Sequence, residues 1–178
     1  LWRKQKAGVD DTVCKLIKEC YQFEQPKKVN LVKSEEITTI REIISSDDDL
    51  LKFAVIISKS NSKWVFCKHR DRDTYEVPGG HREAGELIED TARRELKEET
   101  GALEFSITPI CVYSVTGKNR VNDTGEETYG MLYFADITEF EEELHSEMEK
   151  VVLLDELPDE WTYPLIQPLL IAEYERRK

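Results

Sequence analysis

The sequence predicts an α/β domain with an N-terminal helical appendage, and three observations carry that expectation. Short apolar runs of strand length alternate with segments of helical period. Turn formers such as Asn61-Ser62, Pro78-Gly79-Gly80 and Gly101 fall between them. The chain has 178 residues, 39% of them hydrophobic, enough to bury one sizeable core.

The appendage is expected over residues 1–30. Val13, Leu16, Ile17 and Cys20 recur at helical spacing behind the capping candidates Asp10-Asp11-Thr12, and Pro26-Lys27-Lys28 breaks the pattern. Nothing there carries chemistry; packing on the domain, a dimer contact and an upstream segment all stay open, as does the oligomeric state. The domain is expected over 31–178. Leu31-Val32 and Ile37 to Ile44 are β-prone, and Asp47-Asp48-Asp49 reads as a solvated turn. Phe53 to Ser58 suits a buried strand. Asn61-Ser62 turns the chain into Lys63 to Lys68, where Trp64 and Phe66 face one way and Val65 and Cys67 the other.

Arg70 to Asp73 leads into Tyr75-Glu76-Val77, stopped by Pro78-Gly79-Gly80. A helix from Leu87 to Thr100 ends at Gly101, a suitable C-terminal stop. Leu103 to Val115 and Thr128 to Ile137 read as long strands around a polar loop. After the acidic segment Glu139 to Glu149 come an apolar run, Val151 to Leu154, and a closing helix. That helix is expected to start near Pro164 and carry Leu165, Leu169 and Ala172 on one face.

With 37 Asp and Glu against 25 Lys and Arg, the formal charge is −12. Such a surface repels long polyanions and anionic lipid but accepts a small phosphorylated molecule once cations neutralise it. No run approaches the roughly 18–20 apolar residues of a membrane span, and no apolar stretch follows the charged amino end, so neither a span nor a secretory leader is expected. Cys14, Cys20, Cys67 and Cys111 show no CxxC spacing, which suits reduced thiols in the cytoplasm.

One constellation stands out. Glu95, Glu98 and Glu99 are at i, i+3 and i+4, so a helix gathers three carboxylates on the half that Ile88 and Ala92 turn inward, while Asp90, Arg93 and Lys97 lie opposite. Like charges so placed destabilise a helix, and partial burial makes each worse. A solvated acidic face is the plain explanation of a bare ExxEE. A divalent cation is the chemical one, and oxygen-only ligands suit magnesium.

The surrounding residues decide between them. Gly80, Glu86, Arg94, Glu95, Leu96, Glu98, Glu99, Gly101 and Ala102 meet every fixed position of a Nudix box. A chance match is on the order of 10⁻⁶ or less at typical residue frequencies. The chain thus resembles the Nudix hydrolases over roughly residues 50 to 175. In the Pro-Gly-Gly approach to the box and in Glu156-Leu157-Pro158 it is similar to bacillary MutT-like proteins. That resemblance implies an α/β/α sandwich around a mixed sheet, with the box helix facing a cleft. It also implies Mg2+ (or Mn2+) as cofactor and hydrolysis of a phosphoanhydride bond.

By the resemblance, Glu98, Glu99 and the Gly79 carbonyl are metal ligands. Glu95 is a further ligand or the base that activates water, with ligand favoured, and Arg94 orients a catalytic carboxylate. Glu86 is the structural Glu of the box loop, a metal role being the alternative. Gly80, Gly85 and Gly101 are read as turn and helix-end residues. A further carboxylate from the acidic segment is expected, Glu147 first and Glu149 next, as base or ligand. Lys68, His69, Arg70, Arg72 and Arg82 form a local basic group able to hold phosphates, each with surface solvation as the plainer fate. Trp64, Tyr75, Tyr113 and Tyr133 could stack on a base, although core packing explains aromatics in strands more simply.

The markers of other Nudix subfamilies are missing. The proline of ADP-ribose enzymes is replaced by Thr116, and the dinucleoside-polyphosphate, coenzyme A and NADH signatures are absent. What remains is a MutT-type enzyme cutting a nucleoside triphosphate, oxidised ones included, to monophosphate and pyrophosphate. An RNA 5′-end pyrophosphohydrolase would look similar, though the acidity disfavours it. A catalytically silent nucleotide-binding module would ordinarily have lost a box carboxylate or the arginine, and here all are present.

Overall fold

The computed structural model describes residues 37–41, 48–116, 124–142 and 148–178, with the side chains of 37–41 and of Glu149 not described. The expected appendage over residues 1–30 and Leu31-Val32 lie outside these segments.

The described strands are β1 (Ile37–Arg41), β2 (Leu51–Ser60), β3 (Lys63–His69), β4 (Gly79–His81), β5 (Ala102–Thr116), β6 (Thr128–Phe140) and β7 (Met148–Leu154). They form one seven-stranded mixed sheet in the order β1-β5-β6-β2-β3-β7. Only β2 and β6 run parallel; the other pairs are antiparallel. The short strand β4 shares an edge of β2 with β3: Phe53, Ala54 and Val55 pair with β4, while Ser58, Lys59 and Ser60 pair with β3. Helices α1 (Ile88–Thr100) and α2 (Gln167–Arg177) cover opposite faces.

Strand alternation builds both cores. From β2, Ile57 joins the layer under α2 with Phe66, Leu132, Leu170 and Tyr174, while Ala54 and Ile56 join Val65, Ile88, Ala92 and Leu96 under α1. A bulge between Leu51 and Phe53 interrupts the alternation, so Leu51 packs under α1 and Phe53 under α2. The β5–β6 ladder also shifts between Pro109 and Cys111, where proline has no N–H to donate. Cys67 and Cys111 are buried free thiols; burial pushes the Cys111 thiol up to about 12.

Several expectations hold with small shifts of boundary. The helix expected from Leu87 starts at Ile88 and ends on Gly101, whose left-handed φ of 68° lets its N–H reach the Lys97 carbonyl. Asn61 and Ser62 turn the β2–β3 hairpin with φ of 50° and 68°. Serine resists that conformation, so Ser62→Gly is expected to stabilise the fold by about 0.5–1 kcal/mol, read as a melting rise of about 2–4 °C.

Other expectations are corrected. The closing helix starts at Gln167 rather than near Pro164, with a proline in its first turn, where no N–H is required. Its buried residues are Gln167, Leu169, Leu170, Ile171, Glu173 and Tyr174, whereas Leu165 is exposed and Ala172 only half-buried. Asp48 is no solvated loop charge: it lies in a 3-10 turn (Asp48–Leu50), and its carboxylate pairs with Arg82 at 3.0 Å. Tyr75 and Glu76 form isolated bridges, to Trp161 and Cys67. Among the described residues, no helix is long and apolar enough to cross a membrane.

Candidate active site

Helix α1 buries Ile88, Thr91, Ala92, Leu96 and Thr100. Glu95 and Glu99 fall within that stripe and Glu98 lies at its border. The Glu95 side chain is 12% exposed and that of Glu98 55% exposed. Burial therefore raises the Glu95 pKa despite Arg94 beside it.

Arg94 is the hub. Its Nε and Nη2 donate to the two oxygens of Glu86 at 2.7 and 3.1 Å, and its Nη1 donates to Glu95 at 2.7 Å and Glu98 at 3.2 Å. Nη2 also reaches the His81 carbonyl at 3.1 Å. The guanidinium thus ties the loop before α1 to two carboxylates on the helix. Glu86 accepts further hydrogen bonds from the Glu83 N–H and the Thr91 hydroxyl.

Those partners hold the Glu86 carboxyl at about 2, down from 4.5, with the Arg94 hydrogen bond the largest cause. The folded state favours ionised Glu86 more than the unfolded chain does. Its contribution is full above about 4.5 and lost as the pH falls through about 2. Thermal melts of wild type and Glu86→Gln across this range are expected to converge toward the acid end and to differ by a constant amount above about pH 5.5.

The two glycines before the box loop are held against the same carboxylates. The Gly79 N–H donates to Glu99 Oε2 at 2.8 Å. A β-carbon on Gly80 would stand 2.1–2.6 Å from the Glu95 carboxylate group. A side chain at Gly80 would thus have to displace the Glu95 carboxylate; Gly80 lies on β4, a correction to its reading as a turn glycine, while Gly85 and Gly101, with φ of 87° and 68°, fit that reading.

A cleft of about 170 Å³ opens beside this grouping. Gly79, Gly80, Glu99, Glu76, His69 and Arg72 line its polar part, and Phe53, Tyr113, Val115, Tyr163 and Ile166 its apolar part. Phe53 meets the His81 ring edge-on at 6.0 Å and Tyr113 at 5.5 Å. Gln167, from the first turn of α2, bonds both the N–H and the carbonyl of Val77.

The remaining sequence candidates fall as follows. Arg82 is committed to the Glu86 and Asp48 carbonyls and to the Asp48 carboxylate. Lys68 pairs with Asp73 at 3.4 Å. Trp64 and Tyr133 are core residues, Tyr75 packs beside the core, and Tyr113 both packs and lines the cleft. Glu147 lies outside the described residues, and Glu149 falls on β7 with its side chain not described. Phe53, Tyr163, Ile166, Gln167 and Glu76 carried no warning as cleft residues, because three distant segments bring them together.

The donor set suits a hard divalent cation: three carboxylates on one flank of one helix, one of them desolvated, beside a glycine backbone. Among the described residues, no three His, Cys, Asp or Glu side chains stand grouped to hold a metal as they are. Glu95 and Glu98 are turned onto Arg94, and Glu99 onto the Gly79 N–H. A cation would draw the carboxylates from these partners.

The comparisons with known proteins agree. The family model of the NUDIX domain matches residues 50–170. A Bacillus subtilis (strain 168) protein named "Putative 8-oxo-dGTP diphosphatase YtkD" is 38% identical over 121 residues, 65% of this chain and 72% of that protein. The solved Bacillus subtilis pyrophosphohydrolase BsRppH, in a point-mutant form, aligns with a TM-score of 0.64 and 28% identity, covering 79% of this chain and 90% of that one. A Nitrosomonas europaea Nudix hydrolase shares the fold, with a TM-score of 0.58, 20% identity, and 72% and 90% coverage. The motif, the two-helix sandwich and these likenesses lead to one conclusion: the chain belongs to the Nudix hydrolase family.

Proposed function

We propose that this Nudix hydrolase is a magnesium-dependent pyrophosphohydrolase of nucleoside triphosphates, oxidised ones included, releasing monophosphate and pyrophosphate. The observation that carries this reading is the juxtaposition of Gly79, Gly80 and Glu99 with the aromatic wall of Phe53 and Tyr113 in one cleft. A base stacks on apolar and aromatic surface while the phosphates reach the carboxylate end. The name of the 38% identical YtkD supports an oxidised deoxyguanosine triphosphate as substrate.

Glu95, Glu98, Glu99 and the Gly79 carbonyl would hold the ion, Mg2+ or Mn2+ in its place. That ion supplies charge neutralisation and a more acidic bound water. Arg94 sets the rotamers of Glu95 and Glu98 and keeps the loop carrying Glu86 against α1. Glu147, or Glu149 next to it in rank, supplies the further carboxylate, as base or ligand. The remaining task of the protein is positioning, which phosphoryl chemistry mostly requires. The substrate is a small nucleotide in the cytoplasm, since the −12 charge opposes long nucleic acid.

The test is product analysis with magnesium on dGTP, 8-oxo-dGTP, ADP-ribose, a dinucleoside polyphosphate and triphosphate-ended RNA. Monophosphate and pyrophosphate from 8-oxo-dGTP or dGTP, at the highest kcat/KM of the panel, are the expected outcome. Faster turnover of the RNA end would favour that competing substrate, and no turnover of any triphosphate would refute the proposal.

A further inference from the structure

We propose that Arg72, tethered by the buried Glu76, is a phosphate-binding residue of the cleft, donating to the substrate's diphosphate from outside the Nudix box. The inference rests on the reading that this cleft takes a nucleotide diphosphate.

Four observations support it. Arg72 and Glu76 line the cleft together with Gly79, Gly80 and Glu99. Arg72 Nη1 donates to Glu76 Oε2 at 3.0 Å, and the Glu76 side chain is only 7% exposed. Glu76 is itself fixed, because its N–H and carbonyl both bond the backbone of Cys67 on β3. Among the described residues Arg72 makes no other side-chain hydrogen bond or ion pair, and its side chain is 29% exposed. A guanidinium has five N–H donors, so most of this one's capacity is unused at the wall of the cleft.

Charge gives that capacity its use. Two carboxylates, Glu76 and Glu99, line the cleft, and a substrate bearing several negative charges adds to their repulsion. Arg94 and Arg82 cannot relieve it, being committed to the carboxylates and carbonyls of the box. The planar guanidinium of Arg72 matches phosphate oxygens with paired N–H groups. The single bond to Glu76 restricts the side chain before substrate arrives, which lowers the ordering cost of binding. Glu76 is thus the positioning residue and Arg72 the binding residue.

The experiment compares wild type with R72A, R72K, E76Q and the double variant R72A/E76Q, the last guarding against misfolding from a stranded buried carboxylate. KM and kcat for dGTP and 8-oxo-dGTP are measured with magnesium, and the affinity for inorganic pyrophosphate is measured by calorimetry. R72A and R72A/E76Q are expected to raise KM and weaken pyrophosphate binding by about tenfold or more, with kcat changed less than about threefold. R72K restores part of the loss, and E76Q produces a smaller rise in KM. Mn2+ affinity, read by electron paramagnetic resonance, stays at the wild-type value. A folded R72A/E76Q protein with wild-type KM and pyrophosphate affinity overturns the inference, as does a fall in kcat alone. If wild type turns over no nucleotide, the functional proposal fails, while the calorimetry still decides the role of Arg72.

Discussion

Glu99→Gln is expected to lower kcat by more than about 10²-fold, because partners one shell beyond a metal already cost about 10–100-fold when removed. Glutamine keeps the length of the side chain and a carbonyl oxygen for the Gly79 N–H, which now meets Glu99 Oε2 at 2.8 Å. What it removes is a negative charge at the wall of the cleft. The fold should not suffer. Glu95, Glu98 and Glu99 crowd one helix flank, and neutralising one member relieves like-charge repulsion worth a few tenths of a kcal/mol. Glu98→Gln, at a side chain 55% exposed, should behave likewise. The check is kcat alongside a thermal melt. Undiminished activity in both variants would remove Glu98 and Glu99 from the site.

Arg94→Ala is expected to injure stability and activity together. The guanidinium binds Glu86 through two nitrogens and reaches Glu95, Glu98 and the His81 carbonyl. Without it three carboxylates face one another, and Glu95, already raised by burial, loses its cationic partner. Breaking a buried pair costs about 3–5 kcal/mol. Arg94 is partly exposed, so a loss of about 2–4 kcal/mol and a melting drop on the order of 10 °C are expected. Activity should remain depressed well below the new melting point, since the Thr91 hydroxyl is then left to hold Glu86 against α1 without the guanidinium. Arg94→Lys keeps the charge but cannot bond Glu86 with two nitrogens while reaching Glu95 and Glu98. It should recover less than half of either loss.

The box was legible because its signal is local. A helix fixes Glu95, Glu98 and Glu99 on one flank whatever surrounds it, and Gly101 announces where that helix ends. The alternation of Trp64 and Phe66 against Val65 was equally readable, since a strand leaves a side chain only two faces. The closing helix was misplaced because two prolines compete to start it. Pro164 looked like the opener, but a later proline sits in the first turn, and the three-residue delay turns Leu165 out and brings Leu170 and Tyr174 in. Partnerships across distant segments left no mark in the sequence. Arg82 read as a solvated surface cation or else a phosphate ligand, whereas Asp48, 34 residues earlier, holds it. The cleft wall needs Phe53, Tyr113 and Gln167 together, and these come from β2, β5 and α2.

The central claim is that carboxylates on one flank of α1 bind a divalent ion in the cleft. Titrating Mn2+ by electron paramagnetic resonance into wild type, Glu98→Gln, Glu99→Gln and a control, Glu104→Gln on β5, tests it without any substrate. Binding weakened by about tenfold or more in the two helix variants, and unchanged in the control, is the predicted result. Equal Mn2+ affinity in all four proteins would contradict it.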